Sequence, residues 1–317
     1  MPTEGDRVLV TGGAGFIGSR LVRLLAASGT PVCAFDSLAS GLPIPEATGT
    51  TSVIGDIRDE RALDAALAAF RPTVVVHLAA VHHIPTCEVE RAYSLDVNVI
   101  GTERVLAAAE RHGVTHVVHA SSGAVYDTVD GPLHEASTAV VPHDNYALAK
   151  VTNERQATFW AARIGGSVTL ARIFNTIGPG DPNAHLLPDI VVQVRDGVSD
   201  VVRLGNTSPQ RDYVWVEDVA GALAAAVRRP GVAAEVQTIN ICSGQEHSVV
   251  EIVQEIGALL GRSLTIEVDE ARVRRIDRAH QLGDPSVAAE RLGWRVTTPL
   301  RDALAVILRS DGLLPTK

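Results

Sequence analysis

The stretch Val8-Leu9-Val10-Thr11-Gly12-Gly13-Ala14-Gly15-Phe16-Ile17-Gly18 decides the fold. An apolar strand runs into a glycine-rich turn, and a helical pattern begins at once. Gly12 permits the tight turn, Gly15 lets the backbone approach a pyrophosphate, and Gly18 lets the helix and the strand pack closely. Because the N-terminus of the helix then faces the phosphates, the stretch predicts a dinucleotide-binding site.

An acidic residue supports this interpretation. Asp36 stands eighteen positions after Gly18, at the end of the second predicted strand. A carboxylate at that point can accept both ribose hydroxyls of NAD, and it would repel the 2′-phosphate of NADP. Ser37 follows, and no arginine stands there to bind such a phosphate. The sequence therefore predicts NAD as the cofactor.

Short apolar runs alternate with stretches of helical period along the first half of the chain. The predicted strands are Arg7–Val10, Pro31–Phe35, Ser52–Ile54, Thr73–Leu78, His116–His119 and Val168–Ile173. The predicted helices are Phe16–Ala27, Glu60–Phe70, Ala92–His112 and Tyr146–Arg163. Continuously apolar strands need cover on both faces, so we expect an α/β fold of Rossmann type with a doubly wound parallel sheet.

The alternation of apolar runs with helical stretches becomes irregular after about residue 174. Extended pieces are predicted near Val201–Leu204 and Tyr213–Val216, and helices near Val219–Arg228 and Val249–Leu260. We expect an NAD-binding domain over residues 1–174 and a smaller α/β part over residues 175–317 that forms the substrate side of a cleft. This boundary is approximate, because the chain can cross back between the two parts.

Composition excludes several other classes. The 37 acidic residues against 28 basic ones give a net charge of −9, which argues against nucleic acid or an anionic membrane as a partner. No apolar run approaches the length of a membrane span. Cys33, Cys87 and Cys242 are far apart and fit reduced thiols better than disulfides or zinc. We expect a cytoplasmic protein without a metal site.

Three residues suggest catalysis. Tyr146 and Lys150 stand four positions apart, on one face of a helix. Lys150 would lower the pKa of the Tyr146 phenol and so make it a base near neutral pH. The predicted strand His116–His119 runs on to Ser122, which places a hydroxyl at the carboxyl edge of the sheet, where ligands bind in open α/β folds.

Together these residues resemble the extended short-chain dehydrogenase/reductases, especially the nucleotide-sugar epimerases and dehydratases. The resemblance covers nearly the whole chain. Its further motifs are Gly55-Asp56-Ile57-Arg58-Asp59, His77-Leu78-Ala79-Ala80, Asn98-Val99-Ile100-Gly101-Thr102, Arg172-Ile173-Phe174-Asn175, Gly178-Pro179-Gly180 and Arg211-Asp212-Tyr213-Val214.

The resemblance implies a role for each matching position. It gives Ser122, Tyr146 and Lys150 as the catalytic residues. It implies NAD contacts at Gly12, Gly15, Phe16, Ile17, Asp36, Ser37, Asp56, Ile57, Leu78, Ala79, Ala80, His82, Asn98, Tyr146, Lys150 and Phe174. It implies nucleotide-sugar contacts at Ser122, Asn175, Leu187, Val202, Leu204, Arg211, Arg274 and Asp277. The arginines offer forked donors to a diphosphate, and Asp277 offers an acceptor to a ribose hydroxyl.

The family's reactions begin with oxidation of the sugar and then diverge. In its 4,6-dehydratases the catalytic Ser/Thr is followed by Asp-Glu, whereas this chain has Gly123 and Ala124, which cannot transfer a proton. We therefore expect a UDP-hexose 4-epimerase that works through a 4-keto intermediate with recycled NAD. The alternatives are a reductase of a nucleotide-linked 4-keto sugar, a dehydratase, or a non-catalytic NAD sensor.

Two departures from the family's pattern stand near the expected site. Asp127 replaces the glycine that usually follows Val-Tyr, and His82 and His83 stand where the epimerases often have a lysine. The histidines either line the cleft or add acid–base chemistry at a second carbon, and the first interpretation is favoured. The resemblance also implies a homodimer through the helices Ala92–His112 and Tyr146–Arg163.

Overall fold

The computed structural model describes residues 5–182, 185–197, 199–228, 235–273 and 278–315. The strands are β1 (Val8–Thr11), β2 (Val32–Asp36), β3 (Thr50–Ile54), β4 (Val74–His77), β5 (His116–Ser122), β6 (Ser167–Ile173), β7 (Asn175–Ile177), β8 (Val201–Leu204), β9 (Gln210–Trp215), β10 (Val236–Ile241), β11 (Glu246–Ser248) and β12 (Thr265–Val268). The helices are α1 (Phe16–Ala27), α2 (Glu60–Phe70), α3 (Ile84–Val89), α4 (Arg91–Leu95), α5 (Gly101–Arg111), α6 (Asn145–Ile164), α7 (Leu186–Asp196), α8 (Val216–Val227), α9 (Val249–Leu260), α10 (Ser286–Leu292) and α11 (Leu300–Ser310).

Seven strands form one parallel sheet in the order β10-β6-β5-β4-β1-β2-β3. Alternate side chains of each strand point to opposite faces, so Val8 and Val10 join one core cluster and Leu9 joins another. Helices α1 and α8 complete the first cluster, and α2, α5 and α6 complete the second. This arrangement confirms the predicted doubly wound Rossmann-type sheet.

The second half of the chain returns to this sheet. Strand β10 pairs with β6, and α8 packs beside α1. The remaining strands form two small sheets, β11-β9-β7 and β12-β8, which share a third apolar cluster with α7, α9 and α11. The large sheet therefore contains strands from both sides of the predicted boundary at residue 174.

The predicted helix Ala92–His112 has a different internal form. Helix α4 ends at Leu95, and a wide π-helical turn over Asp96–Ile100 joins it to α5. The side chain of Asn98, in that turn, bonds to the backbone of Val81, and such π-helical turns are frequent at functional sites. Throughout the described ranges, helices long and apolar enough to cross a bilayer are absent.

Candidate active site

The glycine turn has the geometry that its sequence predicts. Gly12 has a φ of +72°, a conformation that side chains disfavour, and a Cβ atom there would lie 2.8 Å from the backbone nitrogen of Ala79. A Cβ atom on Gly18 would overlap the carbonyl oxygen of Gly12. The absence of side chains at both positions lets α1 begin directly against the ends of β1 and β4.

Asp36 is built into the same turn. Its Oδ2 accepts a hydrogen bond from Ala14 N at 2.9 Å, and its Oδ1 accepts one from Leu38 N at 2.7 Å. A carboxylate has about four acceptor sites, so acceptor capacity remains for a ribose diol. The turn and the acid predicted to read the ribose therefore form one rigid unit.

A cavity of about 960 Å³ runs along the carboxyl edge of the large sheet. Its walls include most of the residues predicted to bind cofactor and substrate, and it is large enough for a dinucleotide or a nucleotide sugar. The predicted residues that line it are Gly12, Gly15, Phe16, Ile17, Asp36, Ser37, Asp56, Ile57, Leu78, Ala79, Ala80, His82, Ser122, Tyr146, Lys150, Phe174, Asn175 and Arg211.

Asn98 lies behind the cavity wall and does not line it. Its side chain accepts a hydrogen bond from Val81 N at 2.7 Å and donates one to Val81 O at 2.8 Å. Its own carbonyl accepts a hydrogen bond from the side chain of Asn153 in α6. Asn98 therefore holds the segment after β4 in place, and its direct contact with NAD stays a prediction.

The remaining predicted substrate contacts lie elsewhere. Leu187, Val202 and Leu204 are buried in the third apolar cluster, so these side chains pack in the core and leave only backbone groups to meet a ligand. Arg274 and Asp277 lie outside the described residues.

The three predicted catalytic residues meet at the centre of the cavity. Ser122, Tyr146 and Lys150 all line the cavity, and Lys150 Nζ lies 5.7 Å from the centroid of the Tyr146 ring. Lys150 Nζ also donates to Ala120 O at 2.7 Å, near the end of β5. The structure thus places a phenol, a hydroxyl and an ammonium group at one point of the sheet edge.

The pKa of Tyr146 differs from the sequence-based expectation. Burial raises it to about 12, although the neighbouring Ser122 side chain lowers it. Lys150 was expected to lower this pKa, but Lys150 is itself buried, and burial lowers the pKa of its amine to about 8. Desolvation therefore dominates both groups in the protein without bound ligands.

Histidines form one wall of the cavity near this centre. The ring of His185 lies 6.2 Å from that of His82 and 6.1 Å from that of His83, measured between centroids. His185 Nδ1 is 2.8 Å from Oδ2 of Asp181, a largely buried carboxylate. Burial, with a further effect from His185, lowers the pKa of His82 to about 4, so His82 is a neutral hydrogen-bonding group at pH 7.

The sequence analysis did not identify Arg278 or Gln281, which also line the cavity. Arg211 Nη1 donates to Arg278 O at 2.7 Å, and Arg278 Nη2 donates to Ala124 O at 2.7 Å. The side-chain nitrogen of Asn175 lies 3.5 Å from Gln281 Oε1. The only signal in the sequence was their position shortly after Asp277, which does not show that their side chains turn into the cleft.

A dinucleotide turn and a Ser-Tyr-Lys group facing one cavity define an oxidoreductase-type site of the short-chain dehydrogenase class. Residues 8–242 match the model of the NAD dependent epimerase/dehydratase family. The chain belongs to this family, and the predicted cofactor, NAD, is that of the family.

Relatives within the family differ in activity. The chain is 33% identical to the UDP-glucose 4-epimerase of Mycolicibacterium smegmatis, over 94% of this chain and 96% of the relative. It is 29% identical to the GDP-6-deoxy-D-mannose reductase of Pseudomonas aeruginosa, over 96% of each chain. The solved structure of MoeE5 in complex with UDP-glucuronic acid and NAD superimposes with a TM-score of 0.86 at 31% identity, over 96% of this chain and 98% of MoeE5.

Proposed function

We propose that this protein is a nucleotide-sugar 4-epimerase that inverts C4 of a UDP-hexose through a 4-keto intermediate and keeps its NAD between turnovers. The observation that carries the proposal is that Ser122, Tyr146 and Lys150 line one cavity, whereas Gly123 and Ala124, which follow Ser122, carry no acid or base. A Cβ atom on Gly123 would lie 3.1 Å from the Phe174 ring and 3.2 Å from Gln281 Nε2. The site therefore has little room for an elimination acid at this position.

The residues present fit the cofactor. A turn that a Cβ atom at Gly12 would block leaves space for a pyrophosphate at the start of α1, and Asp36 is fixed where it can accept ribose hydroxyls. Lys150 would hold the nicotinamide ribose, and Phe174 would line the ring pocket. The chemistry supplied by bound NAD is reversible acceptance of a hydride from the sugar.

The protein's own groups would move the proton. Tyr146 Oη takes the proton of the sugar's C4 hydroxyl, while the Ser122 hydroxyl hydrogen-bonds to the same oxygen. The positive charge of Lys150 stabilises the phenolate that has to form. When the sugar has presented its other face, Tyr146 returns the proton to the C4 oxygen. These proton transfers need no further acid or base.

Arg211 and Asn175 would hold the nucleotide sugar in this orientation. A guanidinium group suits a diphosphate, and the Asn175 amide suits a sugar hydroxyl. Arg274 and Asp277 keep their proposed roles toward the diphosphate and the ribose. His82 would contact the cofactor or line the cleft, as its neutral state favours.

A homodimer is the second part of the proposal. Helix α6 exposes Leu148 and Phe159, with 47% and 68% of each residue accessible. Thr152 and Arg155 lie between them at spacings that put all four residues on one face of the helix. Ile100, next to α5, is 47% accessible. Exposed large apolar side chains on adjacent helices are typical of a subunit interface.

The deciding experiment incubates the purified protein, without added cofactor, with UDP-glucose, UDP-N-acetylglucosamine and UDP-glucuronic acid, and follows the sugar by NMR. We expect inversion at C4 of at least one substrate, and the Tyr146→Phe variant should lose activity by a factor of about 100 or more. If no C4 epimer forms, the epimerase proposal is wrong.

The second candidate is a reductase of a nucleotide-linked 4-keto sugar, favoured by the 29% identity to the Pseudomonas aeruginosa reductase over 96% of each chain. Such an enzyme consumes NADH stoichiometrically. Turnover that depends on added NADH would therefore support the reductase, and turnover without it would support the epimerase.

A further inference from the structure

Arg278 is a partly buried cation in the wall of the cavity. It is placed by the backbone around it: Gln210 N donates to Ala279 O at 2.8 Å, and Asp212 N donates to Gln281 O at 3.0 Å. These two bonds fix the segment after Arg278 against β9. The guanidinium group therefore projects into the cavity from a rigid support.

The guanidinium group reaches the catalytic end of the cavity. Arg278 Nη2 donates to Ala124 O at 2.7 Å, and Ala124 N in turn donates to Ser122 Oγ at 3.1 Å. Only Ala124 thus lies between Arg278 and Ser122, whose hydroxyl is proposed to bind the C4 oxygen of the sugar.

No carboxylate of the described residues lies within ion-pair distance of Arg278, which sets it apart from Arg58, Arg163 and other paired arginines of the fold. Asp127 and Asp144 favour its charged form from farther away. Asp127 is bonded to His143 Nε2 at 3.0 Å, and Asp144 caps α6 by accepting from Ala147 N at 2.7 Å. Both nearby acids are thus engaged by other groups.

Burial and the neighbouring Arg211 lower the pKa of the Arg278 guanidinium. A partly desolvated cation in this state gains from a bound anion more than an exposed arginine does. The arginine's planar donors match either a carboxylate or a phosphate, so the position of Arg278 has to decide between them.

The position of Arg278 selects among the anions of a nucleotide sugar. In a hexopyranose the diphosphate is attached to C1, on the side of the ring opposite to C4. The C6 substituent is attached to C5, the direct neighbour of C4. A cation next to the group that binds the C4 oxygen is therefore placed for C6, whereas Arg211 remains available to the diphosphate.

We propose that Arg278 binds a carboxylate at C6 of the sugar, so that the preferred substrate is a nucleotide-linked hexuronate. This inference rests on the proposed function of the site as a nucleotide-sugar site. It assigns a specificity role to a residue outside the Ser-Tyr-Lys group.

The test measures binding separately from turnover. The full-length protein with its NAD is titrated calorimetrically with UDP-glucuronic acid and with UDP-glucose, as wild type, Arg278→Gln and Arg20→Gln. Arg20 is a matched control: it is also partly buried, and its Nη2 also donates to a backbone carbonyl, that of Pro179, at 2.9 Å. It does not line the cavity wall formed by Arg278.

We expect the wild type to bind the uronate about 10-fold or more tightly than the neutral sugar, as a charge-assisted pair would give. Arg278→Gln should remove at least most of this preference, and Arg20→Gln should keep it. Equal loss of both ligands in Arg278→Gln would mean that Arg278 serves the diphosphate or only shapes the loop. That result would overturn the inference. So would a wild type that shows no preference for the uronate, or one that binds neither ligand.

Failure of the epimerase proposal remains distinguishable. If the uronate preference depends on Arg278 but NMR shows no inversion at C4, the substrate class stands and the reaction type is wrong. If C4 inversion occurs on neutral sugars with no uronate preference, the reaction type stands and the inference about Arg278 is wrong.

Discussion

Glu154 and Arg172 form a two-pronged ion pair in the interior, with Arg172 Nε 2.8 Å from Glu154 Oε1 and Nη2 2.7 Å from Oε2. Ser121 Oγ donates to the same carboxylate at 2.6 Å. Glu154 stands four positions after Lys150 on α6, and Ser121 precedes Ser122 at the end of β5. The ion pair therefore joins α6, the helix that carries Tyr146 and Lys150, to β6, and the Ser121 hydrogen bond joins the same carboxylate to β5, the strand that carries Ser122.

This pair predicts an asymmetric response to substitution. Arg172→Met leaves the buried Glu154 carboxylate without its partner, and we expect a loss of about 3–5 kcal/mol in the free energy of unfolding. The double variant Glu154→Leu with Arg172→Met removes both charges and should recover much of that loss. Urea unfolding of the wild type, the single variant and the double variant measures the difference. Similar losses in both variants would contradict the explanation.

Lys150 carries a stability cost that its function requires. Its amine has a pKa of about 8 against an ordinary value of 10.5, and the difference corresponds to about 3 kcal/mol of unfavourable burial at pH 7. Lys150→Met removes this cost but also the hydrogen bond to Ala120 O. We expect a net stabilisation of about 1 kcal/mol in the cofactor-free protein, together with loss of turnover.

The pH dependence checks the cause. Between pH 8 and 10.5 the unfolded wild type binds more protons at Lys150 than the folded protein does, so this residue makes stability rise with pH. The cost is fully present below pH 8. The advantage of Lys150→Met should therefore shrink as the pH rises toward 10.5. An advantage that stays constant over this range would point to packing instead of charge.

Asp36 is predicted to select the cofactor. The double variant Asp36→Ala with Ser37→Arg removes the acceptor for the ribose diol and adds a cation for a 2′-phosphate. NAD should bind about 10- to 100-fold more weakly, and the ratio of NADP to NAD affinity should rise. Fluorescence titration with NADH and NADPH gives both constants. Ser37→Arg alone is the control, because it keeps the acid and should retain the preference for NAD.

The exposed face of α6 predicts the effect of a surface charge. Phe159→Glu should convert a dimer to a monomer, because a carboxylate buried in an apolar interface loses its hydration. Light scattering after gel filtration measures the mass. Val250→Glu on α9, where 38% of the residue is accessible, is the control and should leave the mass unchanged. A monomeric wild type would show that the proposed interface is wrong.

The sequence was sufficient for six of the seven strands of the large sheet, because most of these strands are continuously buried and their turns carry diagnostic residues. Five of the seven sheet strands follow the pattern of continuous burial that predicts strands covered on both faces. The short elements were harder. Strands β7 and β11 have three residues each, too few for a period to be visible. Strand β10 was not predicted, because the strand that it pairs with, β6, lies more than sixty residues earlier in the sequence.

The residues of the candidate site also differ in whether the sequence could place them. Residues that follow a strand or begin a helix, such as Gly12, Asp36 and Tyr146, could be placed from their position in a motif. His185 and Arg278 could not, because loops bring them to the cavity and their spacing carries no signal. The pKa of Tyr146 could not be predicted from the sequence either. The spacing indicates that Lys150 is a neighbour, but it does not show the desolvation that raises this pKa.

The return of β10 and α8 to the large sheet has a consequence for how the protein is made. A ribosome that has released only the first 174 residues has produced β6 without its outer neighbour and α1 without α8 beside it. The apolar surface on that side stays open until residue 241 has emerged, so the sheet cannot close in step with synthesis. A gene truncated after β6 would then yield an aggregation-prone fragment, and the dinucleotide-binding portion cannot be transplanted as a separate module.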